Sequence, residues 1–170
     1  MGIIIRKVKA GDERGVNEIL KAGLKAKNFC YIRRIKPWNS RELKEAGKLY
    51  SSKNPSSYTL VAVDKEKNKI IGACHSGFKK EGRTRHVVDF GWFVHPNYQG
   101  KGVASSLMKK ALDHASQRGF KRAEAEIAVK NTASLKLAKK FGFKVEGVKK
   151  KGFLTDEGEY IDLLVMGKLF

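Results

Sequence analysis

The chain has 170 residues, with 36 Lys and Arg against 17 Asp and Glu, a formal charge of +19. That length suits one domain with its own core, residues 1–170, and no Pro/Ser-rich linker, internal repeat or low-complexity tract divides it. No stretch approaches bilayer-spanning length, the two cysteines, Cys30 and Cys74, show no metal-ligand spacing, and the first apolar run is too short for a signal peptide. Cytoplasmic residence is therefore expected. The charge attracts polyanions such as RNA or a ribosome surface, although it also fits an ordinary basic solvated face. Aromatic residues are not interleaved with the basic clusters, so no stacking platform for nucleic acid is visible.

In chain order, residues 2–8 read as a strand. Asp12 is a cap candidate for a helix over residues 13–22, with Val16, Ile19 and Leu20 on one face. Residues 25–39 are mixed. Ser40 is a second cap candidate, followed by Leu43, Ala46, Leu49 and Tyr50 at helical spacing. Residues 51–57 are turn-like. Residues 58–64 and 69–78 read as a hairpin joined by a polar turn, with Cys74 a small buried hydrophobe in the second strand. A turn near Gly82 leads to a strand over 84–94. Then follow a helix over 102–118, a strand over 122–129, a helix over 131–141, and strands near 144–153 and 159–169. The order βααβββαβαββ is mixed α/β. A helix joins strands 84–94 and 122–129, as a parallel crossover requires.

The segment between the 84–94 strand and the 102–118 helix is the most informative. It reads His95-Pro96-Asn97-Tyr98-Gln99-Gly100-Lys101-Gly102-Val103-Ala104. The first N–H groups of a helix have no intrahelical acceptor, and the helix dipole adds positive charge there. A phosphate or pyrophosphate suits such a place. Gly100 and Gly102 let a ligand approach the backbone, and Lys101 adds charge. The patterns G-x-x-x-x-G-K-[ST] and G-x-G-x-x-G are both absent.

Gln99-x-x-Gly102-x-Ala104 resembles the coenzyme-A loop of the GNAT superfamily, the acetyl-CoA-dependent N-acetyltransferases. The stretch from Asn131 to Gly142-Phe143 resembles that family's second motif, an Asn-led helix closing in Gly-Phe. The tail, from Glu146-Gly147 to Tyr160-Ile161-Asp162-Leu163, is similar to the ribosomal-protein and polyamine acetyltransferase branches. The likeness is strong over the second half and rests on strand order in the first. It implies an α/β fold with a mostly antiparallel sheet, two splayed parallel central strands (84–94 and 122–129) and flanking helices. It also implies acetyl-CoA as cofactor. Backbone groups of Phe93 and Val94 would meet the pantetheine, residues 99–104 (Gln99, Gly100, Lys101, Gly102, Val103, Ala104) would cradle the pyrophosphate, Asn131 would contact the cofactor near its sulfur, and Ser134 would also bind the cofactor. Lys140 would reach a peripheral phosphate unless it is simply solvated.

The implied reaction is direct attack of a primary amine on the thioester in a ternary complex. The amine must lose a proton to become nucleophilic, and the carbonyl oxygen needs a hydrogen-bond donor. Asp89, set in an apolar strand, is a base candidate or half of an ion pair. His86 beside it is the alternative. Glu126, which alternates with Glu124 on one strand face, could orient an amine. Many family members carry a tyrosine that protonates the leaving thiolate. That position here is Ala138, which leaves Tyr160, a water, or unassisted departure. The acceptor could be a protein N-terminus, a small amine or an aminoacyl group on tRNA. Asp156, Glu157, Glu159 and Asp162 could line its pocket or merely form a charged hairpin turn. Contact with RNA or the ribosome through the basic surface, and a homodimer through the last strands, are further expectations. The competing reading is a non-catalytic acetyl-CoA-binding protein on the same scaffold.

Overall fold

The computed structural model describes residues 2–26, 36–51 and 57–170. The elements are β1 Ile3–Lys7, α1 Glu13–Lys25, α2 Ser40–Ser51, β2 Ser57–Asp64, β3 Lys69–Phe78, β4 Val87–Val94, a 3-10 turn Pro96–Tyr98, α3 Val103–Gln117, β5 Arg122–Ala128, α4 Thr132–Lys140, β6 Lys144–Leu154 and β7 Tyr160–Leu169. The described strands form one seven-stranded sheet in the order β1-β2-β3-β4-β5-β7-β6. Neighbours run antiparallel except β4 and β5, which are parallel. This is the expected mixed α/β architecture, and each expected strand and helix is present.

Strand alternation sends side chains to two cores. Leu60, Ala62, Cys74, Val88 and Phe90 share one cluster with Val103, Leu107, Met108 and Ala111 of α3. Val61, Val63 and Ala73 share the other with Val16 and Ile19 of α1. Gly72 lets α3 sit low on the sheet, because a Cβ there would stand 3.1 Å from both Leu107 and Val103. α3 thereby packs closely on β3, with its N-terminus following the end of β4.

Several boundaries and caps differ from expectation. α1 runs on to Lys25, past residue 22. Asp12 does not cap it with its side chain. The carboxylate accepts from Arg6 at 2.6 and 2.9 Å and from the Lys9 amide at 2.8 Å, tying β1 to the start of α1. Before α2 the cap is Asn39, not Ser40. Asn39 Oδ1 accepts from the Glu42 amide at 3.0 Å, and Glu42 Oε2 accepts from the Asn39 amide at 2.9 Å, a reciprocal capping box. β4 begins at Val87 because Thr84 is drawn into a turn, its carbonyl accepting from the Val87 amide. Of the stretches read as mixed and as turn-like, residues 27–35 and 52–56 lie outside the described residues.

Candidate active site

The site starts where the sheet comes apart. β4 and β5 are in register only over Val87↔Arg122, Val88↔Ala123 and Asp89↔Glu124. Beyond Asp89, β4 follows β3 as far as Val94, while β5 follows β7 to Ala128. The His95 amide donates to Ile71 O at 2.9 Å, which fixes the alternation along β4. Odd-numbered residues face β3. The backbone groups of Phe90, Trp92 and Val94 therefore point into the gap. Phe93, expected to offer its backbone there, turns its N–H and C=O to Ala73 instead and lines the cleft by other atoms. The Val94 carbonyl already accepts from Gln99 Nε2 at 3.2 Å.

The loop beyond β4 is built to hold its shape. Asn97 N donates to His95 Nδ1 at 3.2 Å, and buried Tyr98 donates its hydroxyl to Asp64 Oδ2 at 3.0 Å. Asp64 also accepts from the Glu66 and Lys67 amides. Burial alone would raise the Asp64 carboxyl, but these hydrogen bonds, Tyr98's first, hold it below its ordinary value. Gly100 and Gly102 have φ of +71° and +78°, and a Cβ at either would meet no heavy atom within 4 Å. Gly102 is the residue before α3, whose first amides open on a cleft of about 480 Å³.

That cleft is lined by Gln99, Gly100, Gly102, Val103 and Ala104 on one side and, on the other, by Asn131 and by Ser134, Lys136 and Lys140 of α4. Lys101 is not part of the lining. Its Nζ donates to Asn97 O at 3.0 Å and lies 5.3 Å from the Tyr98 ring centroid. Asn131 Oδ1 accepts from the Ser134 amide at 3.1 Å, so Asn131 caps α4 and lines the cleft at once.

A second cavity, of about 280 Å³, shares Trp92, Phe93, Asn131 and Ser134 with the first. His75, Asp89, Glu126, Phe153 and Leu163 complete much of its wall. Asp89 and Glu126 are thus brought together, with Glu126 also paired to Lys149 of β6. Sequence reasoning missed His75. Its ring Nδ1 lies 3.0 Å from Thr59 Oγ1, and desolvation holds its pKa below the ordinary histidine value.

Other candidates fall elsewhere. Tyr160 is 61% exposed at the start of β7 and lines neither cavity. His86 is exposed, and its carbonyl accepts from the Lys121 and Arg122 amides. Ala138 is wholly buried. Glu159 pairs with Lys130 and Asp162 with Lys150, in and beside the β6–β7 turn rather than in a cavity. Burial pushes the Cys74 thiol up to about 12, so it supplies no nucleophile. Among the described residues, no group of three or more His, Cys, Asp or Glu is placed to hold a metal ion, and no helix is long and apolar enough to cross a membrane.

A splayed central strand pair, a glycine loop opening on a helix N-terminus and a cavity beyond are together the arrangement of an acyl-CoA transferase fold. The family model for the acetyltransferase (GNAT) family matches residues 23–143, and the chain belongs to that family. It is 33% identical over 101 residues to the L-amino acid N-acetyltransferase AaaT of Escherichia coli, covering 59% of this chain and 62% of that protein. It is 30% identical over 121 residues to the L-methionine sulfoximine/L-methionine sulfone acetyltransferase of Salmonella typhimurium, covering 69% and 70%. The structure of a putative acetyltransferase from Salmonella typhimurium with its cofactor acetyl-CoA superposes with a TM-score of 0.81 at 23% identity, covering 99% of this chain and 94% of that one.

Proposed function

We propose that this protein binds acetyl-CoA along the β4–β5 gap and transfers the acetyl group to a primary amine by direct attack. The observation that carries this is the meeting of two cavities at Trp92, Phe93, Asn131 and Ser134, one opening on the amides of α3 and the other bearing Asp89 and Glu126. The loop from Gln99 to Ala104 takes the pyrophosphate on backbone amides, as a helix N-terminus favours. Lys140, with Lys136, faces the outer phosphates. Trp92 and Val94 offer backbone groups to the pantetheine amides, and a gap-facing N–H of β4 supports the oxygen of the tetrahedral intermediate. Asn131 and Ser134 stand near the sulfur, where their polar groups receive the departing thiolate. Asp89 and Glu126 draw in the acceptor as its ammonium. Tyr160, which lines neither cavity, has no part in this reading.

The acceptor is a primary amine whose class is open among free amino acids, a protein N-terminus, a polyamine and an aminoacyl group on tRNA. The relatives named above act on amino acids or their analogues by name, which puts these first in the test. The +19 charge supports an acceptor carried on RNA. A homodimer and a cytoplasmic location are parts of the same proposal. The second reading, acetyl-CoA binding without turnover, is favoured by Ala138 alone, since alanine offers no proton. The test measures thiol release from acetyl-CoA with L-methionine sulfone, spermidine, an alanine-initiated peptide and aminoacyl-tRNA at two salt concentrations. Turnover of one amine is expected. Saturable acetyl-CoA binding with no turnover on the whole panel selects the second reading.

A further inference from the structure

We propose that His75, on β3, is the group that takes the proton from the incoming ammonium. The inference rests on the acetyl-transfer reading and concerns the acceptor half of that site. Cross-strand register brings Thr59, His75 and Gly91 side by side on β2, β3 and β4, with Gly77 and Asp89 paired one step further along. Alternation puts all five on the same face of the sheet. Both glycines matter. A Cβ at Gly91 would meet nothing within 4 Å, so the wall beside the imidazole is open. A Cβ at Gly77 would stand 3.6 Å from His75 Nε2. The ring therefore leans over Gly77, the residue that pairs with Asp89 on the next strand, and it lines the acceptor cavity.

The other ring nitrogen is already engaged. In the tautomer this step requires, Nδ1–H donates to Thr59 Oγ1, 3.0 Å away, and Nε2 keeps its lone pair for the incoming ammonium. That hydrogen bond survives when Nε2 gains a proton, so the ring need not turn during the reaction. The charged residues that line this cavity with the imidazole are Asp89 of β4 and Glu126 of β5, the latter bridged to Lys149 of β6. The carboxylates attract the ammonium, but a carboxylate is a weak base at neutral pH. A histidine kept neutral by desolvation is better matched to the transfer.

The step balances without a further reactant. One proton passes from the ammonium to Nε2. The amine lone pair forms the C–N bond, the C–S bond breaks, and the second nitrogen proton leaves with the sulfur as free thiol. The imidazolium then returns its proton to water.

The test compares wild type with His75→Gln, Thr59→Val, Thr59→Ser and Asp89→Asn, at saturating acetyl-CoA. The acceptors are the best amine of the panel above and methoxyamine, whose nitrogen is uncharged at neutral pH. Wild-type kcat should fall on the acid side at or below the ordinary histidine range. His75→Gln should lower kcat for the charged amine by about 10² to 10⁴ and abolish that limb. It should spare methoxyamine to within about tenfold and leave the acetyl-CoA Kd within about twofold. Thr59→Val should displace the acid limb, and Thr59→Ser should restore it. The idea is overturned if His75→Gln keeps the limb and most of kcat, if both acceptors suffer equally, or if only Asp89→Asn flattens the profile. Absence of any wild-type turnover, methoxyamine included, overturns the transfer reading and this step with it.

Discussion

Replacing Gly102 by glutamate separates the folding role of the loop from its binding role. The φ of +78° at Gly102 is matched by +87° at Gly82, in the remote β3–β4 turn, and a Cβ at either position meets no heavy atom within 4 Å. Gly82→Glu is therefore an internal control. Each substitution forces an L-residue into the left-handed region, costing about 1–2 kcal/mol. The lost flexibility of the unfolded chain offsets about 0.4–1 kcal/mol of that. At about 2–4 °C per kcal/mol for a chain this size, both variants should melt within a few degrees of wild type. Only at Gly102 would the new carboxylate meet the pyrophosphate of the proposed complex. For charges about 4 Å apart, repulsion is about 1 kcal/mol in water and about 4 kcal/mol at an effective dielectric of 20, a loss of about fivefold to nearly a thousandfold in affinity. Calorimetric titration with acetyl-CoA reads this directly. Repeating it in 1 M salt, where the Debye length is about 3 Å, should recover part of the loss. An unchanged Kd in folded Gly102→Glu, or an equal loss in Gly82→Glu, would refute the assignment of the loop.

Tyr98→Phe deletes the hydroxyl that donates to Asp64. Losing about 1 kcal/mol of loop order, it should raise the acetyl-CoA KM about fivefold while kcat stays within about twofold. Asp12 has a carboxyl that burial would raise but that hydrogen bonds, Arg6's first, hold below 3.8. A carboxyl depressed in the folded state stabilises above its unfolded pKa. Asp12→Asn should therefore melt below wild type at pH 7, with the gap closing as pH falls through the folded value. Differential scanning calorimetry from pH 7 to pH 2 measures it, and a gap that widens on acidification contradicts the pairing. Leu107→Ala, under α3 against Gly72, should cost about 2–5 kcal/mol in urea unfolding. A loss below about 1 kcal/mol would mean that α3 does not seat as described.

What the sequence revealed and what it hid differ in range. The loop before α3 is legible because its signal is local: an apolar strand, two glycines and a 3.6-residue period lie within one stretch of chain. Asn131 is legible for the same reason, as an acceptor for a helix amide three residues on. The caps read at Asp12 and Ser40 misled because adjacent polar residues compete: Arg6, from β1, decides the first case, and Asn39 takes the second. His75 was invisible because its meaning comes from register. Only pairing with Thr59 on one side and Gly91 on the other shows that a strand histidine faces an open cavity. The placing of Phe93 and Tyr160 was hidden for related reasons. Backbone direction in the first follows from the parity of one hydrogen bond, and exposure in the second from where the β6–β7 turn ends.

The brevity of the β4–β5 ladder has a mechanical result. The sheet's two halves, β1 to β4 and β5 with β7 and β6, are stitched directly by three residue pairs. A molecule lying along the seam with amides on both edges acts as a missing strand and closes the zip. The amide protons of Trp92 and Val94 should exchange freely with solvent in the empty protein and slow once the seam is filled. Cargo and clasp would then be the same object, and release of the spent thiol would reopen the sheet for the next charge.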